Sequence, residues 1–294
     1  MNTEPKVVIV VLNYNGEKCL LQTLESLDAL RYREKEIVVV DNASEDASFA
    51  LAKQTFPHFH FKSLPKNGGF AYGMNAGMRF ALEKGAEYIW LFNYDALAEK
   101  NSLTNLVESA KLLEERSLLS PSISHNTSVW FEGGRINYWR MRVEHVRPRA
   151  VQNKPFKTGF LTGCALFLPR LAVEEIGFLD EAFFLYYEDA DYSERARAKG
   201  FSLYVIPNAK VTHSEESIHN PKKTYHLVFS GLLFFSKHTK GLFSFYQAIY
   251  GILRRQKNRW DLFRGKPLAR EVSRAYSEFY AKKPSFFFNN LRKL

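Results

Sequence analysis

Residues 6–12 read Lys6-Val7-Val8-Ile9-Val10-Val11-Leu12, and Asn13-Tyr14-Asn15-Gly16 follows at once. A continuous β-branched run with no polar alternation fits a strand covered on both faces, the habit of a parallel sheet. The Asn- and Gly-bearing tetrapeptide closes it as a turn. Leu20, Leu21, Leu24, Leu27 and Leu30 then recur at helical spacing. The same sequence of events repeats downstream. Residues 37–40 read as a second strand, closed by Asp41-Asn42-Ala43-Ser44, and residues 48–54 as a helix. Residues 59–63 give a third short strand, 71–83 a helix containing glycines, and 88–92 a fourth strand. This alternation predicts βαβ units in an α/β fold with a central, mostly parallel sheet.

Further along, a helix is expected over residues 103–116, and residues 121–157 read as irregular, with Trp130, Trp139 and many Arg. Strands are expected over 160–168 and 201–206, and helices over 171–176 and 190–199, the last ending at Gly200. The composition changes near Pro221. A catalytic domain over residues 1–220 and a helical, basic, aromatic-rich extension over 221–294 are the expected organisation.

The chain has 294 residues, of which 46% are hydrophobic and 24% charged, enough for a sizeable core and against global disorder. Two cysteines, Cys19 and Cys164, make no disulfide framework, so a reducing, cytoplasmic setting is expected. The N-terminus lacks the basic segment and cleavage site of a signal peptide. The two uncharged runs, 224–236 and 241–253, are shorter than the ~20 residues a membrane-spanning helix needs. Net charge is +10, and residues 254–294 hold 12 Lys or Arg against 3 Asp or Glu. Such a tail implies an anionic partner.

In an open parallel sheet, ligands sit beyond the carboxyl ends of the strands. Asn13, Asp41, Asn67 and the triplet Asn93-Tyr94-Asp95 occupy four successive strand ends. Any one of them alone reads as turn chemistry or a helix cap; four together point to a site. Residues 67–77, NGGFAYGMNAG, put four glycines around a helix start, where backbone can approach a phosphate. Asp95 is placed for a divalent cation beside a diphosphate. Glu188, Asp189 and Asp191 crowd the start of another helix behind the aromatic run 183–187. An apolar wall there can raise a carboxyl pKa and make a general base. His213 ends the strand-like VIPNAKVTH, and a lone His in such a place is more often structural than a ligand.

Taken in order, VVIVVLNYNG, IVVVDNASEDAS, NGGFAYGMNAGMRFA, WLFNYDA, TGCALFLPR, GFLDEAFFLYYEDADYSERARAKGF and VIPNAKVTH resemble the family 2 glycosyltransferases of GT-A fold, in the bacterial rhamnosyltransferase-like branch. The resemblance covers about residues 6–214. It implies an inverting glycosyltransferase that uses a nucleotide-sugar donor. Asn13 and Asp41 would contact the nucleotide, and Asn67, Gly69 and Asn75 would line the diphosphate-sugar pocket. Asp95 and His213 would hold Mg2+ or Mn2+, and Asp189, with Glu188 beside it, would supply the catalytic base. Arg195 and Arg197 match positions on the following helix. The chain departs from the family pattern at Asn93-Tyr94-Asp95, where an Asp opens the usual motif, at Tyr187, and at Ser214-Glu215-Glu216.

The resemblance also implies dTDP-rhamnose as first donor candidate and a saccharide or lipid-linked acceptor in cell-surface polysaccharide synthesis at the inner membrane face. A nucleotidyltransferase, a nucleic-acid binder using the basic aromatic tail, and an inactive nucleotide-sugar binder are the rivals. The first lacks a basic Gly-rich loop after the first strand. The second is the weaker reading: a nucleotide-sugar donor and a saccharide or lipid-linked acceptor are the expected partners, and nucleic acid is not. The retained Asp95, Glu188, Asp189 and His213 argue against the third. For the tail, with Trp260, Phe263, Phe279 and residues 286–288 set among charges, an anionic membrane surface stands beside packing on the catalytic domain or a homodimer contact.

Overall fold

The structure, a computed structural model, describes residues 4–146, 153–214 and 221–282. Strand β1 (Val7–Asn13), helix α1 (Leu20–Asp28), β2 (Lys35–Asp41), α2 (Ser48–Thr55), β3 (His60–Ser63), α3 (Phe70–Glu83) and β4 (Tyr88–Asn93) follow the alternation read from the sequence. β1 pairs in parallel with β2 on one side and β4 on the other, and β2 pairs in parallel with β3. The chain therefore reverses its direction of travel across the sheet at β1, and the gap between the ends of β1 and β4 is a topological switch point. All seven residues of β1 are buried, which is why its sequence shows no alternation.

The second half completes the sheet: β5 (Ala96–Ala98), α4 (Ser102–Leu112), β6 (Ser117–His125), β7 (Ser128–Phe131), β8 (Gly134–Asn137), β9 (Arg142–His145), β10 (Phe156–Lys157), β11 (Ala165–Pro169), α5 (Arg170–Ile176), α6 (Glu188–Ala198) and β12 (Ser202–His213). The sheet runs β10-β12-β6-β11-β4-β1-β2-β3, with β5 on β12 and β7 on β6; β8 and β9 form a separate hairpin. β11 is antiparallel to both neighbours, so the sheet is mixed at its centre. Residues 117–125 are a nine-residue strand, so the region expected to be irregular from residue 121 begins inside the sheet. Pro121 masks it in the sequence, yet it sits beside a register shift between Ile206 and Lys210 of β12, where a ladder N–H is dispensable.

Gly73 and Gly77 correct another expectation. They lie inside α3 rather than at a phosphate, and a Cβ on either would stand 2.2 Å from Leu12 Cδ1 or 2.1 Å from Val10 Cγ1. Their absence of side chain lets α3 press onto β1.

Three helices close the described chain: α7 (Pro221–His238), α8 (Leu242–Phe263) and α9 (Ala269–Lys282). α7 begins where the composition changes, but it is not the start of an independent unit. Phe234 and Phe235 belong to the one hydrophobic core that holds the sheet. Asp191 of α6, fully buried, accepts from Arg195 Nε at 2.7 Å and meets Lys237 Nζ and His238 Nε2 of α7 at 2.7 Å each. Burial works against that charge; His238, Lys237 and Arg195 outweigh it and hold the carboxyl at about 2. Asp191→Ala leaves Arg195 and His238 without their carboxylate partner, while Lys237 keeps Asp180. It is expected to destabilise the protein by about 3–5 kcal/mol, read as a fall in denaturation midpoint. A midpoint equal to wild type would mean that α7 docks by its apolar face alone.

Among the described residues no helix is long and apolar enough to cross a membrane.

Candidate active site

The register of β1 on β2 puts Asn13 directly opposite Asp41. Both are buried. Asn13 Nδ2 lies 2.9 Å from Asp41 Oδ1, 3.1 Å from Ser44 Oγ and 2.8 Å from Ser48 Oγ. Asp41 also accepts from Ser44 N at 3.0 Å and Ser44 Oγ at 2.6 Å. The pair thus stiffens the turn after β2, while Asn13 Oδ1 is buried with no hydrogen-bond partner.

Asn42, the neighbour of Asp41, was not singled out from the sequence, yet it clamps the next loop. Its Nδ2 donates to Asn67 Oδ1 and to Gly69 O at 3.0 Å each, and its Oδ1 accepts from Gly68 N at 3.2 Å. The Asp-Asn pair at a strand end was the available signal. Gly69 begins α3 with φ +92, and a Cβ there would meet Phe184 O at 2.3 Å. A side chain would be strained by both conformation and contact. Phe70 N donates to that same Phe184 O at 2.8 Å, which ties the α3 start to the aromatic run before α6.

Asn75 does a different job from the one expected of it. It is buried, its Nδ2 donates to Leu179 O and Glu181 Oε1, and its Oδ1 accepts from Leu179 N. Its polar atoms hold the turn leading into residues 183–187 instead of facing a pocket. Arg195 is likewise committed, donating to Ile176 O and Phe178 O besides Asp191.

Asp95 and His213 are brought together by β5, three residues long, which pairs antiparallel with β12 so that His213 faces Ala96. Asp95 Oδ1 lies 3.1 Å from His213 Nε2. Ser214 donates to Asp95 O from both N and Oγ, and Thr23 Oγ1 donates to Tyr94 O, so the Asn93-Tyr94-Asp95 turn is fastened on two sides. Burial alone would lower the imidazole; the Cys164 thiol and the Asp95 carboxylate beside it prevail and push it up to about 10. A carboxylate and an imidazole nitrogen facing each other are oxygen and nitrogen donors suited to Mn2+ or Mg2+, which would take the place of the proton they now share. Among the described residues no group of three or more His, Cys, Asp or Glu converges as a metal cage. The pair would offer such a cation one oxygen and one nitrogen donor.

Asp189 stands in the first turn of α6 and remains partly exposed. Its Oδ2 accepts from Gly163 N at 2.9 Å and its Oδ1 from Ala190 N at 2.8 Å. Burial pushes its carboxyl up to about 6, against the pull of these backbone donors. Glu188 is fully enclosed, its Oε2 has no partner, and burial followed by the nearby Asp189 charge raises it well above the ordinary range. The two carboxyls thus have different surroundings: one reachable and hydrogen-bonded, one sealed. Tyr186 and Tyr187, both at φ 68, force the sharp turn that aims them. Left-handed backbone at two successive tyrosines is costly and persists only where packing dictates it. Here Tyr187 packs on Phe234 and Gly231 of α7, and Ser230 Oγ donates to Leu185 O.

Residues 162–164 join the two centres. Cys164 O accepts from Asn93 N, the Cys164 thiol neighbours His213, and Gly163 N holds Asp189. Two surface cavities, of about 210 and 450 Å³, are lined by none of these residues.

The mixed sheet, with polar strand ends gathered at the β1–β4 switch point, is the frame of the GT-A fold. The chain belongs to glycosyl transferase family 2, whose model matches residues 8–177. It is 25% identical over 273 residues to the dTDP-rhamnosyl transferase RfbF of Shigella flexneri, spanning 84% of this chain and 86% of that one. It is 24% identical over 234 residues to an N-acetylglucosaminyl-diphospho-decaprenol L-rhamnosyltransferase of Mycobacterium tuberculosis, spanning 70% and 75%. Among solved structures, the mannosyltransferase PcManGT of Pyrobaculum calidifontis, in complex with GDP-Man and Mn2+, superposes with a TM-score of 0.60 at 14% identity over 99% of this chain and 84% of that one. GalNAc-T7 with UDP, GalNAc and Mn2+ superposes at 0.62 and 15% identity, over 78% of this chain and 48% of that one. The protein is a glycosyltransferase.

Proposed function

We propose that this enzyme transfers rhamnose, with inversion, from dTDP-rhamnose to a saccharide carried on a lipid diphosphate, in cell-surface polysaccharide synthesis at the cytoplasmic membrane face. The observation that carries the donor is the near full-length likeness to a dTDP-rhamnosyl transferase. The likeness to a decaprenol-linked rhamnosyltransferase supports the acceptor class.

In this reading Asp189 is the base. Its oxygens each take one backbone N–H, which leaves lone pairs free for the proton of an acceptor hydroxyl. That hydroxyl attacks the anomeric carbon on the face opposite the leaving diphosphate, so configuration inverts and no enzyme nucleophile is required. Glu188 is the sealed neighbour that, neutral, adds no like charge to Asp189. Asp95 and His213 would hold Mg2+ or Mn2+, and a bound cation supplies charge neutralisation for the departing nucleoside diphosphate. The loop at residues 67–69, clamped by Asn42, borders the diphosphate-sugar pocket, and the turn stiffened by Asn13 and Asp41 receives the nucleotide. The nucleic-acid reading loses its support, because Tyr276 and Phe279 of the basic tail are buried between helices rather than free to stack on bases.

Nucleoside diphosphate release from dTDP-rhamnose, UDP-N-acetylglucosamine, UDP-galactose and GDP-mannose tests the donor. Release from dTDP-rhamnose should exceed the others by at least about tenfold, since a pocket that hydrogen-bonds sugar hydroxyls discriminates strongly. The product anomer, read by NMR, should be opposite to the donor's. Preference for another sugar overturns the rhamnose assignment, and a retained anomer overturns the mechanism.

A further inference from the structure

We propose that the outward face of α8 is the surface by which this enzyme docks on an anionic bilayer. The proposal rests on the reading of a membrane-borne acceptor for its purpose, but on α8 alone for its evidence. Leu242, Ile249, Ile252, Leu253, Trp260 and Phe263 of this helix are all exposed, with Leu242 at 82%, Leu253 at 63%, Trp260 at 60% and Phe263 at 83%. At about 100° per residue these six fall within one stripe ~100° wide along the helix. Of the residues α8 buries, Gln247, Gly251 and Asn258 lie on the opposite side and Ala248 on the flank. The helix is therefore amphipathic twice over: one face packs on the protein and the other presents large apolar side chains to solvent.

Charge selects the occupant. Lys257 and Arg264 project along one border of the stripe and Arg259 along the other, all exposed. Within α8 the only acidic residue is Asp261, already paired with Lys257 and Lys266. A second copy meeting this face would bring like charges together. A bilayer with anionic headgroups takes both features, with apolar side chains below the phosphates and basic ones among them. α8 has 22 residues, ~33 Å of length, so it would lie along the surface. The exposed Trp139 extends the patch at the amino end, 4.9 Å from Phe243 between ring centroids. Tyr246 and Tyr250 fix α8 to residues 139 and 140 through backbone carbonyls. The expected anchor differs from the one read in the sequence: Phe279 is buried, Trp260 and Phe263 are not, and residues 286–288 lie outside the described chain.

Full-length protein should sediment with vesicles of equal parts phosphatidylglycerol and phosphatidylcholine, weakly with phosphatidylcholine alone, and less as salt rises. Leu253→Ser/Trp260→Ser/Phe263→Ser should weaken the anionic-vesicle affinity by at least roughly tenfold, with an unchanged melting temperature and unchanged donor hydrolysis in detergent-free buffer. Arg259→Gln/Arg264→Gln should weaken it too and flatten the salt dependence. Because no acceptor or sugar nucleotide is present, the vesicle result is independent of the donor assignment. The proposal is overturned if wild type ignores anionic vesicles at low salt, or if the triple variant binds them as wild type does. It is equally overturned if wild type is a dimer that the triple variant dissolves without vesicles, or if residues 283–294 prove to cover the stripe, their removal being what first allows binding.

Discussion

Asp189→Asn is expected to lower turnover on the order of 10²- to 10⁴-fold, the usual effect of losing a general base, while donor affinity barely changes. The acceptor's hydroxyl needs a deprotonated, reachable oxygen, and of the three acidic residues that open α6 only Asp189 provides one. Asp191 is buried and saturated by Arg195, Lys237 and His238. Glu188 is enclosed and raised well above the ordinary carboxyl range by burial and the Asp189 charge. The substitution keeps the shape and can retain one of the two backbone bonds, so the melting temperature should change little. The sign of the pH dependence follows from the same burial. The carboxyl is pushed up to about 6, so its base form disappears as pH falls through that value, and kcat/KM should drop about tenfold per unit below it. The residual activity of the Asn variant should show no such limb. A variant with near-normal turnover, or a wild-type profile flat down to about pH 5, would move the role to another group.

Part of this site was legible in the sequence. The β1, β2 and β4 strands announce themselves by apolar runs buried on both faces, and their polar ends follow directly. The Glu188-Asp189-Asp191 cluster was legible too, but not its division of labour. That depends on Gly163 reaching Asp189 and on α7 reaching Asp191, contacts 26 and 47 residues away. Asn75 looked like a pocket residue because it sits in a glycine-rich stretch; its partners, 104 and 106 residues on, make it a brace. Nor could helical periodicity reveal that α7 packs into the hydrophobic core of the sheet. Phe234 and Phe235 look like any aromatic pair until Tyr187, in its left-handed conformation, is found against them. Strand β6 was hidden by Pro121, and β5 by its brevity, since three residues show no period.

β5 matters most, because the second large effect depends on it. Asp95→Ala and His213→Ala should each weaken nucleoside diphosphate binding measured by calorimetry with Mn2+ present, and leave the weak binding without metal nearly unchanged. The two residues are 118 positions apart and meet at 3.1 Å only because His213 is registered on Ala96. As Asn93 stands where an acidic residue opens the usual motif, Asp95 is the sole carboxylate of that turn. Its removal therefore takes away the negative charge that would draw a divalent cation to the diphosphate. Turnover should fall by about 10²-fold or more, since removing charge stabilisation of a leaving group typically costs that much. His213→Ala should fall short of this, because it removes a neutral donor and leaves the carboxylate. Structure supplies the control: Ser214 and Thr23 hold the turn through backbone carbonyls of Asp95 and Tyr94, which neither substitution removes. Folding should therefore survive, and the loss should be confined to the metal-supported component of binding. Wild-type activity indifferent to EDTA would refute the metal role. The Asp95–His213 pair would then act without a cation, the imidazolium held by Asp95 supplying the positive charge itself.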